Sequence, residues 1–160
     1  MSDVNGMAVH IPRHIAALLD QSQRRYREVM NELIPGVLDS LTDPGLREIA
    51  GRLRGSHFRM LSVIPPDGAR VTDIAEYASM TKQSAGESLG YLGSEGLIEI
   101  VADPTDRRAR LTRRTALGDE MVTMANDLVA KVEKRWRRKI GADDYDAMRR
   151  ALVRIATEEL

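Results

Sequence analysis

The sequence contains no cysteine, which excludes disulfides, thiolate metal sites, cysteine nucleophiles and thiol redox sensing. Aromatic residues make up only 4% of its 160 positions, and no apolar run approaches the roughly 18 residues that span a bilayer. The first 15 residues lack the charged-then-apolar pattern of a secretory signal. We therefore expect a cytoplasmic protein that does not associate with membranes.

The chain also lacks net charge, because 24 basic side chains balance 24 acidic ones. The basic side chains are nevertheless unevenly distributed. Residues 103–114 hold five arginines against two aspartates, and residues 131–139 hold six basic residues against one glutamate. Since salt screens charges beyond about 8–10 Å, local basic patches can still attract a polyanion. The charge balance therefore does not exclude nucleic acid as a partner.

A length of 160 residues and an apolar share of 42% are typical of one globular domain. Apolar residues at three- and four-residue spacing predict helices, and a short β-branched run between turn signals predicts a strand. From these patterns we expect helices at about 12–34, 44–53, 55–64, 73–79, 81–96, 116–140 and 143–158, with strands at 97–101 and 109–115.

Local signals set the expected ends of these elements. Pro35 and Gly36 should end the first helix and leave Leu38 and Leu41 in a short separate piece. Glycine after a helix is a common C-terminal signal. The expected N-caps are Gly55-Ser56, Thr72 and Thr81, and the expected terminating glycines are Gly96 and Gly141.

The two flanking regions carry long amphipathic helices, whereas residues 55–115 read as three short helices and a hairpin. Long apolar stripes must be buried, and the small central module offers too little surface for them. The simplest arrangement pairs them with the same helices of a second copy in a two-fold dimer. An intramolecular bundle is the alternative. We thus expect a dimerisation region at 1–54 and 116–160 around a module at 55–115, all in one structural domain.

Two short helices with a tight joint, followed by a hairpin, predict a winged helix-turn-helix. The second helix begins with Thr81, Lys82, Gln83 and Ser84, and this end of a recognition helix reaches base edges in the major groove. Gln83 can pair with adenine, and Lys82 with guanine or phosphate. Thr81 and Ser84 suit phosphate oxygens. The alternative is a polar helix start that faces water, with Thr81 as its cap.

The predicted hairpin tip is rich in arginine. Arg107, Arg108 and Arg110 lie at or just after the turn, beside Asp106. Guanidinium groups favour the narrow, electronegative minor groove of DNA. Asp106 can hold a neighbouring arginine extended through a charge-assisted pair. The alternative is a charged turn that is merely solvated.

These motifs closely resemble those of the MarR family of winged-helix transcriptional regulators. The resemblance covers residues 50–120 well and the flanking helices by layout only. Its most specific part is the Asp-Pro-x-Asp-Arg-Arg run. The matching segments are RGSHFRML (54–61), IPPDG (64–68), MTKQSAGE (80–87), GLIE (96–99) and DPTDRRARL (103–111).

The resemblance implies a mainly α fold with a small β-hairpin wing (α+β), in which long dimerisation helices flank the winged helix-turn-helix. It implies a homodimer on a pseudo-palindromic operator in double-stranded DNA. It also implies that residues 81–84 and Arg108 contact DNA, with Asp106 orienting the wing. Many members release DNA when a small, often aromatic, ligand enters a cleft between the dimer helices and the winged region.

The sequence departs from the family pattern at a few positions. Ser88 stands where relatives usually have an apolar residue, and Gly90 and Gly93 stand where they have helix formers. Each helical glycine costs roughly 1 kcal/mol relative to alanine. Arg114 replaces an apolar residue in a strand expected to be partly buried. These positions support an alternative function, a winged-helix protein-interaction module that has lost specific operator binding.

Signals for catalysis or a metal are weak. His10 and His14 have a spacing that can hold a metal, but no third ligand is evident. The sequence has no phosphate-cradling glycine loop, serine nucleophile elbow or metalloprotease helix. We therefore expect a regulator, more a repressor than an activator, with no cofactor, no metal and no enzymatic activity.

Overall fold

The computed structural model describes residues 14–106 and 108–157, which form seven helices and one two-stranded antiparallel sheet. None of these helices is both long and apolar enough to cross a bilayer. His10 and the start of the first predicted helix lie outside the described residues. The elements are α1 (Ile15–Ser40), α2 (Pro44–Arg52), α3 (Gly55–Val63), α4 (Val71–Tyr77), α5 (Lys82–Ser94), β1 (Ile98–Ala102), β2 (Arg110–Arg114), α6 (Ala116–Ile140) and α7 (Ala142–Thr157).

The predicted fold class, mainly α with a small hairpin, is confirmed. Thr81 caps α5, because its hydroxyl oxygen accepts the Ser84 N–H at 3.2 Å. Gly96 follows α5 with φ +71°, and Gly141 follows α6 with φ +94°. Left-handed backbone of this kind costs glycine little, which is why glycine ends both helices.

Helix α1 continues through Pro35 and Gly36 to Ser40, so the predicted break at these two residues is wrong. Proline lacks an N–H, and one carbonyl of the preceding turn therefore loses its helical partner. Tertiary contacts offset this loss, because Val37 is buried and Leu38 packs against the core. The separate short piece expected after residue 36 is instead the last turn of α1.

Two predicted N-caps are also wrong. Helix α3 is capped at Arg54 rather than at residues 55–56, and His57 Nδ1 accepts the Arg54 N–H at 3.2 Å. Helix α4 is capped at Arg70, so Thr72 lies inside the helix. The Thr72 hydroxyl faces a neighbouring carboxylate instead, 3.1 Å away. In both cases the chain enters the helix earlier than the favoured cap residue.

The hairpin pairs Ile98 with Arg114 and Ala102 with Arg110 in antiparallel register. Ala69, in the segment before α4, adds a bridge to Thr112 on the open edge of β2. The bridge is made by two backbone hydrogen bonds of 3.0 and 2.8 Å. It joins the wing directly to the helix-turn-helix.

One continuous core supports the helix-turn-helix and the base of the wing. It extends from α2 to α6, so the flanking helices share a core with the central module. Side chains from α3, α4, α5 and the wing supply most of it. The buried cluster consists of Ala50, Met60, Leu61, Ile64, Ala69, Ile74, Ala75, Ala78, Ala85, Leu89, Leu92, Leu97, Ile98 and Met121.

Arg114 occupies a half-hidden position at the end of β2, with its side chain only 13% exposed. Its Nε lies 2.6 Å from a carboxylate oxygen of Asp119 in the first turn of α6. Its NH1 donates to the carbonyls of Leu61 and Ile64 at the end of α3. The arginine thus donates to carbonyls at the end of α3, where the regular helical donors are missing.

The long helices pack together but keep apolar surface in solvent. Tyr26 of α1 contacts Trp136 of α6 edge to face, with ring centroids 5.6 Å apart. Glu32 and Arg135 form an ion pair at 2.7 Å between the same helices. The large apolar side chains that remain exposed on α1, α6 and α7 are Ile15, Leu18, Leu19, Ile34, Ile140, Leu152, Val153 and Ile155.

The start of α6 is held tightly against the chain that leaves α5. Thr115 donates its N–H to the Leu97 carbonyl at 3.1 Å and its hydroxyl to the Gly96 carbonyl at 2.7 Å. A Cβ placed on Gly118 would lie 2.1 Å from the Leu97 carbonyl oxygen. Only glycine allows this approach. At Gly90 of α5, by contrast, a Cβ would meet nothing within 4 Å.

These two glycines should therefore respond oppositely to alanine. Gly118→Ala should lower the free energy of unfolding by about 1–3 kcal/mol or more, since backbone must shift to admit the methyl group. Gly90→Ala should raise it by about 0.5–1 kcal/mol, because alanine loses less backbone entropy in a helix. Urea unfolding followed by circular dichroism measures both. Equal effects of the two substitutions would contradict the close contact at Gly118.

Candidate nucleic-acid interface

One side of α5 is buried against the core and the other faces solvent. Ala85 and Leu92 are fully buried, and Leu89 is 6% exposed. Thr81, Lys82 and Gln83 are exposed, and Ser84 is half-buried. The amino-terminal end of a helix carries partial positive charge and free N–H groups, which attract phosphate. The predicted recognition residues thus come together at one exposed helix end.

Two of these residues already have partners within the chain. The Thr81 oxygen accepts the Ser84 N–H, so the predicted N-cap at this residue is confirmed. Its own hydroxyl proton remains able to donate to an acceptor. The Gln83 amide donates to Glu87 one turn later, at 3.2 Å. A base contact by Gln83 would therefore replace a solvent-exposed hydrogen bond.

The turn between α4 and α5 depends on one residue with a left-handed backbone conformation. Ser79 has φ +53°, and it has the only positive φ among the described non-glycine residues. Its N–H donates to Glu76, and the next N–H, from Met80, donates to Ala75, both at 2.9 Å. This tight turn sets the angle between the two helices. Its sequence carries no glycine or asparagine that would have predicted it.

Asp103 organises the turn of the wing. Its Oδ1 accepts the Thr105 N–H at 2.8 Å, the Thr105 hydroxyl at 2.6 Å and the Asp106 N–H at 3.3 Å. The hydrogen bonds from Thr105, followed by that from Arg70, hold the pKa of Asp103 well below its usual range. The carboxylate is only 8% exposed, and it stays charged at neutral pH.

Arg70 connects this turn to the helix-turn-helix. It is the N-cap of α4, and its NH2 lies 3.0 Å from Asp103 Oδ2 and 3.5 Å from Asp106 Oδ2. Arg70 thus links the turn of the wing to the start of α4. Arg70 was not among the predicted site residues, because the turn that it holds is more than 30 positions away and no local motif marks it.

The two described arginines of the wing, Arg108 and Arg110, are exposed. Neither side chain forms an ion pair with any described residue. Arg107 lies outside the described residues. Asp106 accepts the Arg108 backbone N–H at 3.0 Å, while its ion pair is with Arg70. Asp106 thus acts on Arg108 through the backbone and on the wing through Arg70.

Away from this surface, a cavity of about 810 Å³ lies between α1, α2, α3 and α6. Tyr26, Met30 and Ile34 of α1 supply one apolar wall, and Phe58 and Met124 supply others. Its lining includes no aspartate and no glutamate, but it includes two arginines, Arg27 and Arg59. The described residues contain no cluster of three or more metal-ligating side chains. The lining is thus mainly apolar, and arginine is its only charged residue type.

A comparison with protein families supports the resemblance to the MarR family that the sequence motifs indicate. Residues 53–109 match the model of the MarR family. This segment comprises α3, α4, α5, β1 and the turn of the wing. A search of curated proteins finds no match.

Solved structures share the fold over nearly the whole chain. CouR from Rhodococcus jostii RHA1, bound to p-coumaroyl-CoA, is 21% identical with a TM-score of 0.69, covering 92% of this chain and 95% of that one. The transcriptional repressor CouR bound to a 23-mer DNA duplex is 23% identical with a TM-score of 0.70, covering 97% and 99%. BpsR from Bordetella bronchiseptica, whose DNA binding is regulated by 6-hydroxynicotinic acid, is 17% identical with a TM-score of 0.69, covering 95% and 99%.

The contacts that hold the turn of the wing can be tested by removing the Asp103 carboxylate, on which they converge. Asp103→Ala should lower the melting temperature by about 5 °C, because several donors lose their acceptor. Asp106→Ala, whose side chain is half exposed, should lower it less. Since the pKa of Asp103 is lowered in the folded state, the difference between wild type and Asp103→Ala should shrink as the pH falls below about 4. Equal losses in both variants would contradict the central role of Asp103.

Proposed function

We propose that this chain, whose residues 53–109 match the MarR family, is a dimeric, sequence-specific DNA-binding transcriptional regulator. In this proposal it acts as a repressor that a small-molecule ligand releases from its operator. One observation carries the proposal. The start of α5 is polar and exposed, and the wing exposes Arg108 and Arg110, which form no ion pair with any residue that the structure describes. The wing is tied to α4 through Arg70.

Each site residue has a proposed contact with double-stranded DNA. Gln83 reads adenine in the major groove, and Lys82 contacts guanine or a phosphate. Thr81 and Ser84 donate to phosphate oxygens beside the helix end. The wing binds the minor groove through Arg107, Arg108 and Arg110. Asp106 and Arg70 fix the position of the wing. Phosphate contacts make such binding steeply dependent on salt.

The dimer is proposed from the uncovered apolar surface of the long helices. Leu18 and Leu19 of α1 and Val153 and Ile155 of α7 lie exposed in the single chain. A second copy that covers them by two-fold symmetry removes this surface from water. It would also place two recognition helices about 34 Å apart, in successive major grooves. Residues 1–54 and 116–160 would then form the dimerisation region, and 55–115 the DNA-binding region.

The ligand is proposed to be a small aromatic molecule bearing negative charge. The cavity between the long helices and the winged region has apolar walls, two arginines and no carboxylate. The ligands named for CouR and BpsR are p-coumaroyl-CoA and 6-hydroxynicotinic acid, each an aromatic group with an acidic portion. Arg27 and Arg59 would bind the acidic portion of the ligand through charge-assisted hydrogen bonds.

A protein-interaction module that has lost operator binding is the second candidate. Gly90 and Gly93 of α5 favour it, since a Cβ at either position would meet no atom closer than 3.9 Å and both glycines weaken the helix. Anisotropy titration separates the two candidates. The protein is titrated against the duplex upstream of its own gene and against a scrambled duplex of equal length, each at two salt concentrations. Preferential binding supports the regulator, whereas equal, weak and salt-erased binding supports the module.

The wing assignment predicts the behaviour of Arg108→Ala. This variant should bind the operator about tenfold more weakly, because one groove or phosphate contact is lost. Arg24→Ala removes the same charge from α1, far along the chain from the wing, and should bind normally. Anisotropy at matched salt gives the affinities, and sedimentation equilibrium checks that both variants remain dimers. Unchanged affinity in Arg108→Ala would overturn the wing assignment.

The charge of the cavity predicts which ligands bind. Trp136 is the only tryptophan and contacts Tyr26 of the cavity wall, so its fluorescence should report occupancy. Aromatic carboxylates, 6-hydroxynicotinic acid among them, should bind about tenfold more tightly than their neutral amides. Arg59→Met should weaken this preference, since Arg27 alone then remains to bind the acidic group, whereas Arg25→Met, outside the cavity, should keep it. Equal binding of acids and amides would contradict the proposal.

A further inference from the structure

The segment 51–59 has the cavity on one side and α5 on the other. Its cavity-lining residues are Gly51, Leu53, Gly55, Ser56, Phe58 and Arg59. Two residues between them, Arg52 and His57, contact side chains of α5 and its C-cap instead. The wall of the cavity and the support of the recognition helix are thus the same short stretch of chain.

The first contact is an ion pair between α2 and the end of α5. Arg52 NH2 lies 2.6 Å from Oε2 of Glu95, whose side chain is only 14% exposed. Hydrogen bonds from Arg52, and secondarily from Tyr91, lower the pKa of Glu95, so the carboxylate stays charged. The same arginine also pairs with Glu48, which lies on its own helix with 72% of its side chain exposed.

The second contact is a ring stack between α3 and α5. The His57 and Tyr91 rings lie 4.7 Å apart with an interplanar angle of 29°. Burial, followed by the charge of Arg54, lowers the pKa of His57, and Glu95 opposes this shift. The neutral ring accepts the Arg54 N–H and so caps α3. His57 therefore joins the first turn of α3 to the carboxyl-terminal part of α5.

We propose, on the basis of the function proposed above, that Arg52, His57, Tyr91 and Glu95 form a latch that couples the cavity to the recognition helix. A molecule that enlarges the cavity displaces segment 51–59, and the ion pair and the stack transmit that displacement to α5. The four side chains are positioning residues, since none lies at the amino-terminal end of α5 that faces DNA. Without the latch, the occupied cavity no longer influences α5.

The coupling can be tested with an occupant of known position, because the chain has no cysteine of its own. Ala125 of α6 lines the same cavity as segment 51–59. Ala125→Cys is labelled with benzyl methanethiosulfonate, which places a benzylthio group in the cavity through a disulfide. Intact mass confirms the label, and dithiothreitol removes it from the same sample. Hydrogen exchange of the α5 amides, measured by mass spectrometry, reports the recognition helix without DNA.

Labelling should change the exchange rates of α5 by at least about fivefold, the lower end of typical couplings between sites. Adding Glu95→Ala should reduce this response, because it removes the ion pair and leaves only the ring stack, whereas adding Glu48→Ala, which truncates the other partner of Arg52, should leave it intact. The reciprocal pair Arg52→Glu with Glu95→Arg should restore it, which a purely structural loss would not. Circular dichroism checks the fold of each variant.

Three results would overturn the latch: no response of α5 to the label, equal responses in the Glu95→Ala and Glu48→Ala backgrounds, or no recovery in the reciprocal pair. The outcome is independent of DNA. If α5 responds to the label but the protein shows no operator preference, only the proposed function is contradicted. If the protein prefers its operator but α5 does not respond to the label, only the coupling is contradicted.

Discussion

The burial of Ala85, Leu89 and Leu92 on one side of α5 determines which surface of this helix remains available to a partner. With that side fixed against α3 and α4, the helix can only expose the opposite side and its amino-terminal end. The small side chain of Ala85 allows the close approach, and Thr81 closes the first turn. The positions of Lys82 and Gln83 follow from this packing, because neither residue contributes to the core.

The wing and the long helices depend on the same core through a few polar contacts. Arg70 ties the turn of the wing to the start of α4, and Arg114 ties the end of β2 to the last carbonyls of α3. Gly118 lets α6 begin against the backbone of Leu97. The angle at which α6 leaves the winged region is thereby fixed, and with it the shape of the cavity that α6 helps to enclose.

Several features with local causes could be predicted from the sequence, although the caps expected at residues 55–56 and at Thr72 were wrong. Features with distant causes could not be predicted. The α5 cap, the closing glycines and the hairpin follow from residues within one or two turns of each other. The continuity of α1 through Pro35 depends on the burial of Val37 by other elements, and the role of Arg70 depends on a turn far along the chain. The cavity has walls from four helices, so no single periodic pattern indicates it.

The central claim is that two copies of α5 and the wing read double-stranded DNA by sequence. Selection of randomised duplexes by the purified protein, followed by sequencing, tests this claim and does not require the operator to be known. The account predicts an enriched inverted repeat whose half-site centres lie about 10–10.5 base pairs apart, as two-fold symmetry and one helical turn require. Selection that enriches no motif, or only a single half-site without symmetry, would contradict it.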